Sequence, residues 1–154
     1  ANSLKKIINT KGININFMLQ DVYNLDFPSN SFDFVFFSGG SYSFIPSSRK
    51  RIEVLKAIKR VLKKEGVLLL SFGMGVNKTV IKLYPFFKLI ARLTLGNREI
   101  EKNDFIVGEG EFHHGFLKED EIIKEADISG FIVDAINLKG RIGYKCAYLR
   151  PQKD

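Results

Sequence analysis

Apolar positions along the chain form short unbroken runs, separated by stretches of helical period. Residues 15–20 (INFMLQ), 32–38 (FDFVFFS) and 67–72 (VLLLSF) lack period-2 alternation, the pattern of strands buried on both faces. The Pro28-Ser29-Asn30-Ser31 cluster marks a loop between the first two runs, and Gly39-Gly40 ends the second. Leu4, Ile7 and Ile8 predict a helical face over 2–11, capped by Gly12. From Ser47 to Lys64, Ile52, Leu55, Ile58, Val61 and Leu62 recur at i, i+3 and i+4, with basic residues on the other side. Glu65-Gly66 is the predicted stop of that helix. Residues 78–95 predict a second amphipathic helix, kinked or broken near Pro85, and the polar, Gly-bearing stretch 96–112 predicts a mobile loop. A short helix over Lys118–Ser129 ends at Gly130, and 131–136 and 144–149 read as closing strands. Their connection, Asn137 to Gly143, is too short for a helical crossover, so this pair is expected to be antiparallel. Strands alternating with helices predict an α/β sheet, largely parallel in its first half.

With 154 residues, 45% of them hydrophobic, the chain suits one packed domain and excludes a disordered one. A single Cys rules out a disulfide framework and suits a reducing, cytoplasmic setting. No run approaches the ~20 apolar residues of a membrane span, and no signal peptide opens the sequence. The net charge of +7 invites a nucleic-acid reading, but it is concentrated. Residues 49–64 carry Arg49, Lys50, Arg51, Lys56, Lys59, Arg60, Lys63 and Lys64 against Glu53 alone, and the rest of the chain is balanced. The charge therefore reads as the solvated face of one helix rather than as a nucleic-acid footprint.

The most specific feature is the order of three segments: FMLQDVYNLDFPSNSFDFVFF at 17–37, EVLKAIKRVLKKEGVLLLSF at 53–72 and HHGFLKEDEIIKEADISGFIVDAI at 113–136. This succession resembles the class I S-adenosylmethionine-dependent methyltransferases, particularly their small-molecule branch. In that family an acid closes the third strand, and a hydrophobic-Pro-x-x-x-Phe-Asp passage enters the fourth. Arg-Val-Leu-Lys-x-x-Gly leads into the fifth, and a helix following a late aromatic ends in Gly-Phe before the sixth. Here these positions read Asp21, Pro28 through Phe32-Asp33, Arg60 through Gly66, and Phe116 through Gly130-Phe131. Lys64 stands where the family usually has Pro, and Leu117 where it has Ser or Thr. The resemblance implies a Rossmann-like doubly wound sheet, mostly parallel with an antiparallel final strand. It also implies incompleteness at the N-terminus, because the family's Gly-x-Gly-x-Gly loop and ribose-binding acid would precede residue 1. On this reading 1–154 is the C-terminal two-thirds of a single methyltransferase-like domain, with 76–112 as its substrate-cover insertion.

The family's chemistry is methyl transfer from S-adenosylmethionine, here onto a small apolar or amphiphilic acceptor. The resemblance places Asp21 on the adenine amino group and Val22 against its ring. It places Ser38, Gly39, Gly40 and Ser41 along the methionine part of the cofactor, and Tyr42 and Phe44 toward the methyl group or the substrate. The residues themselves also allow plainer roles. Asp21, the best cofactor candidate of the chain, has a turn cap as its plainer alternative, whereas Ser38–Ser41 leaves a strand at the end where open α/β sheets place ligands. Tyr84 belongs to an element bearing Phe86, Phe87, Leu89 and Ile90 beside Lys82, Lys88 and Arg92. Such an element can close over a substrate or, across 79–95, rest on a membrane surface. His113 is a candidate lining residue of the substrate pocket. Two adjacent His and Cys146 do not make a metal ligand set, and neighbouring strand residues point apart. No catalytic residue is assigned; Tyr42, Tyr84, His113 and His114 are the available bases. Gly73-Met74-Gly75 has only two glycines of a dinucleotide loop and reads as a flexible strand exit. Asp33 and Cys146 read as structural. Two rivals stand beside this reading: a non-catalytic methyltransferase-like interaction module, and an RNA-modifying methyltransferase.

Overall fold

The computed structural model describes residues 15–75, 77–94, 99–107, 111–137 and 144–153. In chain order the elements are β1 (Phe32–Phe37), a 3-10 turn (Ser41–Phe44), α1 (Ser48–Val61), β2 (Leu62–Gly73), α2 (Lys78–Leu93), β3 (Asp104–Val107), β4 (Glu111–His114), α3 (Glu119–Ile128), β5 (Phe131–Asn137) and β6 (Tyr144–Pro151). One sheet runs β1-β2-β6-β5, and β3 and β4 form a separate hairpin. The sheet is mixed in its pairing: β1, β2 and β5 point one way and the final strand runs against them. β1 and β2, joined by the α1 crossover, are parallel, whereas β6 lies between β2 and β5 and opposes both. The predicted antiparallel final pair is present.

The helical stripe of α1 folds as its spacing dictates, burying Val54, Leu55, Ile58 and Val61. These meet Leu68, Leu70 and Phe72 of β2, and Ile122, Ala126 and Phe131 extend the same core beneath α3. Each of the larger side chains among them contributes about 1.5–3 kcal/mol on leaving water. The helix stops earlier than Glu65-Gly66: Leu62 is already extended and opens β2, which carries Glu65 and Gly66 inside it. Arg51 departs from the basic outer face; it lies in phase with the apolar stripe and is 2% exposed.

Other expectations are corrected as well. Residues 15–20 form no strand, and Phe17, Met18 and Leu19 are exposed. They have no ladder partner among the described residues. The neighbouring β1 likewise leaves Phe34 and Phe36 more than half exposed, so it is not buried on both faces. α2 runs through Pro85 without a break. The stretch 96–112 is not all loop, because Asp104–Val107 and Glu111–His114 pair there in antiparallel register. Gly73-Met74-Gly75 is pinned rather than loose: Phe116 donates its N–H to the Gly73 carbonyl, and Gly75 donates to that of Phe116. The helix expected over 2–11 lies outside the described residues.

Much of the basic cluster is engaged internally. Arg49 pairs with Glu53 and Glu99, Lys63 with Asp33, and Arg60 donates to the carbonyls of Leu25 and Phe27. Asp33 thus anchors the start of β1, away from its glycine-bearing end, in the structural role expected of it.

Candidate active site

The loop leaving β1 is shaped by two glycines in the left-handed region, Gly39 at φ 68° and Gly40 at φ 73°. Ser41 folds back on this loop, its N–H and hydroxyl both donating to the Ser38 carbonyl at 3.2 and 2.7 Å. Beneath it, the N–H of Gly40 donates to the hydroxyl oxygen of Ser71 at 3.1 Å, and that of Gly73 donates to Ser43 at 2.7 Å. Two buried serines therefore tie the loop to the end of β2. Ser38 and Gly39 remain exposed on the outer side, leaving a strand-end backbone open to a ligand.

Beside this loop the ring of His113 is enclosed by aromatic neighbours. Phe44 meets it edge-on at 5.5 Å, Phe105 at 5.0 Å and Tyr144 at 6.3 Å. Gly73 approaches so closely that a Cβ there would sit 2.5 Å from His113 Nε2. His113 Nδ1 is buried and has no hydrogen-bond partner among the described residues. Burial, reinforced by the neighbouring His114, holds the His113 pKa below the ordinary imidazole value, so the ring is neutral at neutral pH. The unfolded chain therefore binds this proton more readily than the folded one, and the stability tied to His113 is lost as pH falls through and below ~6.5. Urea unfolding of His113→Phe is expected to show a shallower loss of stability over that range than the parent; identical slopes would contradict the assignment.

Behind the loop lies a continuous buried polar chain. The Tyr42 hydroxyl donates to Glu125 Oε2 at 2.7 Å. Arg51 donates Nη2 to Glu125 Oε1 and to Glu101 Oε2, each at 2.7 Å, and stacks over the Phe116 ring. Asp104 Oδ1 lies 2.6 Å from Nδ1 of His114, its direct cross-strand partner in the hairpin. A carboxylate can only accept in that contact, which fixes a proton on His114 Nδ1. Desolvation, then the charge and hydrogen bond of Glu125, push the Tyr42 phenol well above its usual pKa, which removes it as a base. Burial opposes the Arg51 charge, but Glu125 and Glu101 outweigh it and raise its pKa.

Glu101, Asp104 and His114 bring three ligand-type atoms within 4.8 Å of one another. These donors are already committed. Glu101 accepts from Ser48 N–H and Arg51, while Asp104 accepts from Glu101 N–H and faces His114. The adjacent guanidinium supplies the positive charge that a metal would bring.

The structure thus gathers Phe44 and Tyr144 around His113, with Gly40 against Tyr144, a residue that sequence patterning did not single out. Tyr42 is completely buried in the core, its hydroxyl on Glu125 of α3. Tyr84 stands apart from His113, in a cavity of about 440 Å³ lined also by Arg51, Glu101 and His114. Asp21 is exposed and accepts the Tyr23 N–H at 3.0 Å, forming a turn; Val22 packs on the core edge. The missed residues carried one signal: Arg51 and Glu125 each fall in phase with the buried stripe of their own helix.

This architecture is shared by solved methyltransferases. An S-adenosylmethionine-dependent methyltransferase from Methanosarcina mazei superposes with a TM-score of 0.66 at 22% identity, over 97% of this chain and 76% of that one. One from Clostridium acetobutylicum gives 0.65 at 15% identity, over 99% and 71%. The Burkholderia thailandensis 1,6-didemethyltoxoflavin-N1-methyltransferase, solved with its substrate and S-adenosylhomocysteine, gives 0.66 at 13% identity, over 97% and 56%. No curated protein matches the chain by sequence. Residues 1–70 match the family model described as a methyltransferase domain. The chain shares its fold with these enzymes, and its first 70 residues resemble a methyltransferase domain. In this chain the sheet order β1-β2-β6-β5 puts the Ser38–Ser41 loop and the Gly73 exit side by side at one sheet end. The Methanosarcina mazei and Clostridium acetobutylicum neighbours are S-adenosylmethionine-dependent enzymes.

Proposed function

We propose that this chain is part of an S-adenosylmethionine-dependent methyltransferase of class I, acting on a small, apolar or amphiphilic molecule bound between the Ser38–Ser41 loop and the Phe44–His113–Tyr144 cluster. The observation that carries this reading is the His113 ring, walled by three aromatic rings, with a buried Nδ1 left without a partner. Buried polar groups are rarely left so, and the position suits a polar atom of an otherwise apolar acceptor. On the cofactor side, the open backbone of Ser38 and Gly39, with Ser41 beside it and buried Gly40 turning the loop, suits the methionine part. Asp21, with one carboxylate oxygen used in its turn, keeps the other for the adenine amino group, with Val22 beside it. S-adenosylmethionine supplies a methyl group already activated on a sulfonium. The chain's own work is then alignment and exclusion of water, which Phe44, Phe105 and Tyr144 serve. Neutral His113 can hold or accept the acceptor's proton where one must leave.

Titration calorimetry with S-adenosylhomocysteine tests the cofactor half, with saturable one-to-one binding as the expected result. Asp21→Ala is expected to weaken it by about 1–3 kcal/mol, the loss of one charge-assisted hydrogen bond. An unchanged affinity would leave Asp21 as a turn cap only, and no binding to the parent protein would overturn the reading.

A further inference from the structure

α2 is the least integrated element of the fold: none of its 16 residues is buried. Its exposed apolar side chains are not scattered. Leu83, Phe86, Ile90 and Leu93 follow one another at i, i+3, i+7 and i+10, a single stripe along the helix, with Phe86 58% and Leu93 75% exposed. The apolar surface continues sideways. Phe87 borders a largely apolar cleft shared with Val80, Phe105 and Phe112, whose far rim is Ile106 of the β3–β4 hairpin, itself 64% exposed.

The charge on this helix is one-sided. Lys78, Lys82, Lys88 and Arg92 are its ionisable cations, and it carries no Asp or Glu. Lys88 turns inward onto the Tyr84 hydroxyl. Lys78, Lys82 and Arg92 form no ion pair among the described residues. Their spacing of four and ten sets them along the flank of the apolar stripe. On α1, Arg49 and Arg51 do have carboxylate partners.

We propose that α2 docks in the plane of an anionic phospholipid bilayer. Leu83, Phe86, Ile90 and Leu93 enter the acyl boundary while Lys78, Lys82 and Arg92 reach the phosphate-bearing head groups. Unpaired cations beside an unbroken apolar stripe match a surface that is negative outside and apolar beneath. A polyanion such as RNA would satisfy the cations and leave the stripe in water. No described helix is long and apolar enough to cross a membrane, so the helix lies on the surface. The docking stands independently of the substrate assigned above.

Flotation with vesicles measures it, comparing phosphatidylglycerol–phosphatidylcholine mixtures with pure phosphatidylcholine at low and high salt. The expected result is binding to the anionic vesicles that weakens as salt rises. Lys82→Glu with Arg92→Glu is expected to lower that binding roughly tenfold or more, and Phe86→Glu with Leu93→Glu to abolish it. All four side chains are exposed, so the variants keep the parent circular dichroism spectrum. Equal partition into neutral vesicles, or no partition at all, overturns the proposal. So does self-association that Phe86→Glu removes without any vesicle binding, since a second copy would then cover the stripe. RNA binding carried by the same cations in the absence of vesicle affinity overturns it as well.

Discussion

Arg51→Met is expected to cost about 3–5 kcal/mol of unfolding free energy, a large share of what holds a domain of this size together. The guanidinium is 2% exposed, grips Glu125 through both Nε and Nη2, reaches Glu101, and lies 5.1 Å from the Phe116 centroid. Methionine fills similar space but leaves the Glu125 carboxylate buried with only the Tyr42 hydroxyl as a partner. That stranded charge, more than any lost attraction, sets the size of the effect. Two further variants separate the two causes. Arg51→Lys keeps a charge but cannot reproduce the forked contact to Glu125, so a partial rescue at best is expected. Arg51→Met combined with Glu125→Leu and Tyr42→Phe removes the most deeply buried part of the polar set, leaving the half-buried Glu101, and is expected to recover most of the loss. Urea midpoints read all of these. A single-variant cost below about 1 kcal/mol would mean that the cluster is solvated rather than buried.

The same cluster shows where the sequence was readable and where it was not. α1, α3 and the strands β5 and β6 follow from local periodicity, because each buries a face whose spacing is set by its own geometry. Arg51 and Glu125 sit 74 positions apart, and Arg51 and Glu101 50 apart, so no local window joins them. In-phase charges on two apolar stripes are visible in the sequence; that they meet is a property of the packing. The β3–β4 hairpin was hidden for a related reason. Residues 99–104 look polar, as loops do, yet Asn103 and Asp104 are buried. Asn103 donates to the carbonyls of Gly75 and Gly115, and Asp104 faces His114. Residues 15–20 fail in the opposite direction. Their apolar run has the composition of a buried strand, but a strand needs a partner for its backbone groups, and none of the described strands lies beside it. Of the candidate site, the Ser38–Ser41 loop and His113 were legible from type and position. Tyr144 and Ser71 were not, because each acts on a glycine remote in sequence.

Gly40 provides the sharpest test of that loop, because Gly39 beside it is a matched control. Both hold a positive φ of about the same size, and Asn is the substitution that best tolerates it. Their surroundings differ. A Cβ on Gly39 meets nothing nearer than Ser41 Oγ at 3.8 Å, whereas a Cβ on Gly40 would penetrate the ring of Tyr144. Gly39→Asn is therefore expected to change stability and S-adenosylhomocysteine affinity little, by less than ~1 kcal/mol. Gly40→Asn must displace either the loop or Tyr144, and Tyr144 is also one wall around His113. Displacing a positioned loop by about 1 Å can cost on the order of a hundredfold in a well-aligned reaction. Cofactor affinity and turnover are expected to fall together in Gly40→Asn while the unfolding midpoint stays near the parent's. Adding Tyr144→Ala to Gly40→Asn separates space from backbone strain. If the ring is the obstacle, the second change restores cofactor binding even though it removes part of the aromatic wall. No restoration, or equal losses at Gly39 and Gly40, would place the constraint in the left-handed backbone and not in the contact between this loop and the start of β6.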